Sequence, residues 1–285
     1  MKTSTIAVVG NPNSGKTTLF NGLTGSNQRI GNWPGVTVEK KEGSAEYNGK
    51  KYHFIDLPGI YSLFAFSEDE RIARDYILND RPDLVVNIVD ATNLERNLYL
   101  TTQLLEMRVP MLIVLNMTDL AEKQHISIEY EHLARHLEVP CIGISAVRDR
   151  DIQRVFAEIG RAVEIHPVSQ VEVSYPNEIE EILSSWMGML TEAAQKIGTT
   201  ERWIAVKLLE EEEWTSRRVF ENSKLTEEEV GEAISGVEAV LGESADAVVA
   251  DYRYGFIHGL VKDVITRTTS RRSVTDKIDR VVMHK

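Results

Sequence analysis

Gly10-Asn11-Pro12-Asn13-Ser14-Gly15-Lys16-Thr17 is the stretch on which the reading of this chain turns. Residues 5–9 before it are apolar or β-branched, and residues 18–23 after it have helical spacing. A strand therefore runs into a glycine-bounded loop, and the loop runs into a helix. In that context the G-x-x-x-x-G-K-[ST] string is a phosphate-binding loop rather than a glycine-rich turn. Backbone N–H groups of the loop and the positive end of the helix form an anion site. Lys16 is expected to reach the β- and γ-phosphates, the Thr17 hydroxyl to ligate Mg²⁺, and Thr18 to complete the nucleotide-binding run.

The bulk properties narrow the class. The chain has 285 residues, enough for one large domain or two ordinary ones. Its net charge of −12 speaks against a general nucleic-acid binder, because phosphate neutralisation needs a basic surface. A lone cysteine, Cys141, cannot form an intrachain disulfide and reads as a small core residue in a reducing cytosol. The amino terminus lacks the basic-then-apolar pattern of a signal peptide, and no apolar run approaches the length of a membrane span.

Downstream, Gly31-Asn32-Trp33-Pro34-Gly35-Val36-Thr37-Val38 reads as a mobile loop within 26–40, running into a strand. Thr37 is the residue of interest, since a threonine in this first switch of phosphate-loop GTPases ligates Mg²⁺ and senses the γ-phosphate. Gly35 and Val36 flank it as nucleotide-binding candidates. A hairpin follows, with strands over 36–47 and 51–55 about the turn Asn48-Gly49. It delivers Asp56-Leu57-Pro58-Gly59, where Asp56 can hold Mg²⁺ through water and the Gly59 N–H can bond the γ-phosphate. The next residue, Ile60, stands where Ras-type GTPases carry the glutamine that orients the attacking water. Residues 61–67 complete a second switch, and Ser67 reads as the N-cap of a helix.

Residues 83–90 and 110–115 read as buried parallel strands, with a helix over 94–107 between them. The second strand delivers Asn116-Met117-Thr118-Asp119, an N-x-x-D string that selects the base. The Asp119 carboxylate can accept from guanine N1–H and the 2-amino group. Adenine lacks both donors and would leave the carboxylate unpaired. Asn116 braces the loop, and Met117, standing where Ras-like proteins carry lysine, can cover one face of the base. A helix over 129–137 and a last strand over 140–144 lead to Ser145-Ala146-Val147, placed to offer backbone N–H to guanine O6. A helix over 149–163 closes the unit. The strand–helix alternation predicts a doubly wound, mostly parallel α/β sheet over 1–165.

Residues 166–170 read as a linker. No convincing strand follows. Helices are expected over 176–197, 200–213, 226–241 and 245–267, making a small all-α domain over 171–267. Two E-x-x-E strings, Glu178 to Glu181 and Glu210 to Glu213, read as solvated charge rather than as a metal site. The seven histidines show no paired helical spacing of a metal site. A basic tail over 268–285 suggests a segment near an anionic membrane leaflet or a solvated terminus.

Taken together, G-N-P-N-S-G-K-T (10–17), G-N-W-P-G-V-T-V-E (31–39), D-L-P-G-I-Y-S-L (56–63) and D-A-T-N-L-E-R-N-L-Y (90–99) resemble the amino-terminal cytoplasmic region of bacterial ferrous iron transport protein B. The resemblance is close over 1–165 and weak over the helical region. It implies a phosphate-loop GTPase that regulates Fe²⁺ uptake, hydrolysing GTP to GDP at the cytoplasmic face of the inner membrane. It also implies a helical domain that restrains GDP release, and a membrane transport domain beyond this chain. Homo-oligomers and small cytosolic Feo partner proteins are further implied partners, and nucleic acid is not. The family resembles potassium-activated GTPases, in which a phosphate-loop asparagine ligates K⁺ in place of an arginine finger; the matching residue is Asn13. Asn13, Lys16, Thr37 and Gly59 are thus the candidate catalytic set. The competing readings are a ribosome- or RNA-associated GTPase, disfavoured by the acidic appendage, and a nucleotide-dependent scaffold without useful hydrolysis.

Overall fold

The computed structural model describes residues 3–64 and 66–267. Strand β1 (Thr3–Gly10) buries its last five residues. Ala7 and Val9 point into one apolar cluster and Ile6 and Val8 into another, the alternation of a strand covered on both faces. Then come α1 (Lys16–Thr24), β2 (Gln28–Asn32), β3 (Glu39–Tyr47), β4 (Lys50–Asp56), α2 (Glu68–Asp80), β5 (Leu84–Asp90) and α3 (Leu94–Glu106). The unit continues through β6 (Met111–Asn116), α4 (Thr118–Lys123), β7 (Ile126–Ile128), α5 (Tyr130–Leu137), β8 (Cys141–Gly143) and α6 (Asp149–Ile165).

Seven strands form one sheet in the order β2-β3-β4-β1-β5-β6-β8. β1 runs parallel to β4 and β5, β5 to β6, and β6 to β8, while β2, β3 and β4 alternate in direction. The chain winds outward in both directions from β1, so the loop after β1 opens at the topological switch point, between the ends of β4 and β5. Local chemistry sets the joints. Asn48 and Gly49 take φ of 51° and 73°, the left-handed pair of a tight hairpin turn. Ser67 and Glu70 close a capping box at the start of α2, as Thr226 and Glu229 do further on.

The helical half comprises α7 (Asn177–Ile197), α8 (Glu201–Leu209), α9 (Glu213–Asn222), α10 (Glu227–Leu241) and α11 (Ala245–Val264). Its core is continuous with one face of the sheet: Leu98 and Leu105 of α3 share a cluster with Leu183, Trp203 and Ile257. Among the described residues no helix is long and apolar enough to cross a membrane.

Several sequence expectations are corrected. The loop over 26–40 contains β2, an edge strand ordered by pairing with β3, and the hairpin strand begins at Glu39 rather than at 36. The turn at 33–38 takes the intervening residues, with Trp33 N–H donating to the Val38 carbonyl at 2.9 Å. The helix expected over 200–213 stops at Leu209, because Glu211 adopts φ of 53° and the chain restarts as α9. The last helix ends at Val264, and 265–267 form a strand, β9 (Ile265–Arg267), antiparallel to β7. Both three-residue strands exist through each other, a tertiary pairing that local propensity does not carry. The basic tail at 268–285 lies outside the described residues.

Candidate functional site

The phosphate-loop residues come together as the spacing requires. Asn13 and Gly15 take φ of 66° and 85°, turning the chain tightly before α1. Ser14 N–H donates to the Asn11 carbonyl at 3.2 Å. The first turn of α1 carries no acidic side chain, so its positive end stays uncompensated. Two glycines are needed for space. A Cβ on Gly10 would stand 2.5 Å from the Ile88 carbonyl oxygen, and one on Gly15 would collide with Nδ2 of Asn116. Both polar atoms of the Asn11 side chain and the Ser14 hydroxyl are buried without a partner in the protein. Such orphans are costly unless a ligand or water meets them.

β4 ends next to β1, with Asp56 in register with Val8. The Lys16 ammonium is ion-paired with the Asp56 carboxylate, and both side chains are largely buried. Burial pushes the Asp56 carboxyl up from its ordinary range, against the opposing pull of Lys16. Beyond it the chain lies along the end of β1: Leu57 N–H donates to the Val8 carbonyl at 3.0 Å, and Ile60 N–H to the Gly10 carbonyl at 3.2 Å. Leu57 and Ile60 are core residues, Pro58 is half-buried, and Gly59 sits against Pro12. Ile60 therefore presents neither a polar side chain nor a free N–H. Gly35 reaches φ of 80° in the turn that carries Val36 and Thr37. Thr37 is exposed, and among the described residues no hydrogen bond joins it to Thr17 or Asp56. The structure thus assembles the phosphate loop with Asp56 and Gly59, but does not bring in Thr37. Trp33 anchors this turn, edge-on to Tyr76 at 5.5 Å.

The base-side residues are joined to the loop by one amide. Asn116 Nδ2 donates to the Ser14 carbonyl at 2.9 Å, and its Oδ1 accepts from Ala146 N–H at 2.9 Å. Met117 takes φ of 62° as the N-cap of α4, with Asp119 in the first turn behind it. The Met117 methyl lies near Gly15. Ser145 and Ala146 are buried, and Val147 is exposed.

Supporting residues went unread in the sequence. Asp151 Oδ2 accepts from Ser145 N–H at 3.0 Å, and the Thr118 hydroxyl donates to the Ile144 carbonyl at 3.0 Å. Thr118 was visible inside its motif; Asp151 had no signal beyond a first-turn acid. Gln103 Oε1 accepts from Leu63 N–H at 2.6 Å, and the Arg96 guanidinium stacks on Tyr61 at 4.3 Å, so α3 grips the second switch. The helical half grips it too. Arg74 of α2 is fully buried against Glu212, and Lys207 of α8 lies 5.0 Å from the centre of the Phe64 ring.

Glu210 shows why the E-x-x-E string has another role. It closes α8 while Glu213 opens α9, and it is buried between Arg253 and Lys207, with Lys207 Nζ at 2.8 Å. Arg253 also bonds Glu106 at 2.8 Å, and the Tyr175 hydroxyl donates to Glu106 at 2.7 Å. Among the described residues no group of three or more metal-ligating side chains converges.

A mostly parallel sheet with this loop at its central strand, tied to an N-x-x-D strand end, defines a phosphate-loop GTP-binding protein, here with a helical domain attached. The chain belongs to the ferrous iron transport protein B family. Residues 4–159 match the profile "Ferrous iron transport protein B", and residues 175–266 match "FeoB cytosolic helical domain". The Fe(2+) transporter FeoB of Methanocaldococcus jannaschii is 44% identical over 99% of this chain and 42% of that protein. That of Escherichia coli K12 is 46% identical over 74% of this chain and 27% of that protein. The chain thus spans less than half the length of these curated relatives. A GDP-bound point mutant of S. thermophilus NFeoB superposes with a TM-score of 0.82 at 38% identity, covering 92% of this chain and all of that one. The apo cytosolic domain of T. maritima FeoB gives 0.81 at 31% identity, over 93% of this chain and all of that one.

Proposed function

We propose that this chain binds GTP and hydrolyses it to GDP as the regulatory module of an Fe²⁺ uptake transporter at the cytoplasmic face of the membrane. The observation that carries the reading is the bridge made by Asn116, which holds the phosphate loop and the base-side turn in one rigid unit. The GDP-bound relative supports the nucleotide class. We further propose a G domain over 1–165, a linker at 166–170 and a helical domain over 171–267 that restrains GDP release through its grip on the second switch.

The residues fit a metal-bound triphosphate. The orphaned Asn11 and Ser14 atoms belong to the same loop as Lys16, whose ammonium pairs with the buried Asp56 carboxylate. Thr17 and Asp56 would hold Mg²⁺, which supplies positive charge to the β- and γ-phosphate oxygens, and Thr37, exposed in this structure, would join them only by movement of its turn toward the loop. Asn13, exposed at the crest of the loop, would hold K⁺. Lys16 binds and neutralises phosphate. Loop N–H groups orient it, and Gly59 offers its N–H to the γ-phosphate. Asp119 reads the guanine edge, with Ser145, Ala146 and Val147 at O6. The apolar, buried Ile60 cannot orient water as a glutamine does, and backbone near Gly59 or a side chain of a switch would take that role. Phosphate release from GTP tests the reading: the chain turns over and Lys16→Ala does not. Equal release by both would overturn it.

A further inference from the structure

α5 carries two histidines that the nucleotide site does not use, and it corrects the expectation that no histidines are paired. His132 and His136 stand four residues apart on this helix. Residues so spaced share one helix face, the arrangement by which two imidazoles grip one metal in H-E-x-x-H proteins. The helix is pinned by Leu133 and Leu137, both fully buried, so the neighbouring stripe with the two histidines is held outward on a rigid support. His132 is about one-third exposed, and His136 is exposed.

The rings converge by their Nε2 atoms. Nε2 of His132 and Nε2 of His136 are 3.0 Å apart, with ring centroids 4.5 Å apart. Two imidazole nitrogens bound at right angles to one ion, each at a bond length of about 2.05 Å, stand about 2.9 Å apart. The observed spacing is thus that of two adjacent ligands on one ion. On the far side of His132, Glu129 Oε2 lies 3.7 Å from Nδ1. That distance is too long for a hydrogen bond, and a small rotation of the exposed Glu129 side chain would bring the carboxylate to the position that carboxylates take behind metal-bound histidines.

We propose that His132 and His136 form a surface site for one borderline divalent transition metal, of the Cu²⁺, Ni²⁺ or Zn²⁺ class. Neutral imidazoles suit these ions, and ions lower in the stability order bind more weakly. Water fills the remaining positions, since no third protein ligand converges among the described residues. The ion replaces the hydrogen bond between the two Nε2 atoms: the one proton held there moves through solvent to Nδ1 of the same ring, so that both Nε2 lone pairs face the ion and both rings stay neutral. The site lies on α5, which packs on β8 and α11, and uses no residue of the phosphate loop.

The test is calorimetric titration of the untagged chain with Ni²⁺, in GDP and excess Mg²⁺ so that the nucleotide site is already filled. One ion is expected to bind, and His132→Ala and His136→Ala are each expected to weaken it at least tenfold while leaving GDP affinity unchanged. Cu²⁺ bound at one equivalent to the unmutated chain should show paramagnetic-resonance coupling to two imidazole nitrogens, a readout that does not depend on the variants folding. No saturable Ni²⁺ binding, unchanged affinity in either variant, or coupling to a single nitrogen would overturn the proposal, leaving a hydrogen bond between two rings.

Discussion

Asn116 Nδ2 donates to the Ser14 carbonyl at 2.9 Å, so the strand that leads to Asp119 holds the backbone of the phosphate loop. The same amide accepts from Ala146 N–H at 2.9 Å. Asn116→Ala would remove both bonds and leave a buried N–H without a partner, a cost of about 1–3 kcal/mol. GDP affinity should fall by about tenfold to a hundredfold. Titration with a fluorescent GDP analogue checks this, and an unchanged affinity would show that the bridge is ornamental to binding.

Gly15→Ala should be harsher. The residue sits at φ of 85°, and its Cβ would strike Asn116. Strain of this kind costs on the order of 1–3 kcal/mol, before the displacement of Asn116 is counted. The variant should remain folded by circular dichroism and lose measurable GDP binding.

Asp119→Asn should move preference from GTP to XTP. A carboxylate accepts two donors from guanine, and an amide presents one donor and one acceptor. The loss for GTP should be about 2–3 kcal/mol, the worth of hydrogen bonds to a charged group. Competition between the two nucleotides measures it. Retained guanine selectivity would mean that another residue reads the base.

Glu210 links pH to the joint between the two halves. Burial pushes its carboxyl up, but Arg253 and Lys207 outweigh this, and its pKa lies below the ordinary 4.5. A depressed acid stabilises the fold above its unfolded pKa and ceases to do so as pH falls through the folded value. This contribution is therefore intact at neutral pH and is lost on acidification below about pH 4.5. Glu210→Gln should cost about 3 kcal/mol at pH 7, since it leaves buried cations short of a partner. Urea unfolding at pH 7 and at acid pH checks both the size and its disappearance.

The parts of the proposed nucleotide site were legible because phosphate and guanine demand particular residue types at fixed spacing. Gly10 to Thr17, Asp56 to Gly59 and Asn116 to Asp119 needed no tertiary knowledge. The capping boxes at Ser67 and Thr226 were legible for the same local reason. What escaped is made by distant pairs. β9 exists because β7 lies beside it, and Arg253 meets Glu106 across 147 positions of sequence. The break after Leu209 hides in a glutamate, Glu211, that takes a left-handed turn without glycine. The pair His132 and His136 was legible by spacing and was passed over among seven histidines.

The proposed hydrolysis turns on what does the work of a catalytic glutamine, given that Ile60 is buried and its N–H is spent on the Gly10 carbonyl. GTP turnover with Mg²⁺, measured in KCl and in NaCl at equal ionic strength for the unmutated chain and Asn13→Ala, addresses it most directly. A potassium-assisted site predicts a rate at least tenfold higher in KCl, with the Asn13→Ala variant slow in both salts. Equal, negligible rates in the two salts, or a potassium effect that survives Asn13→Ala, would contradict it.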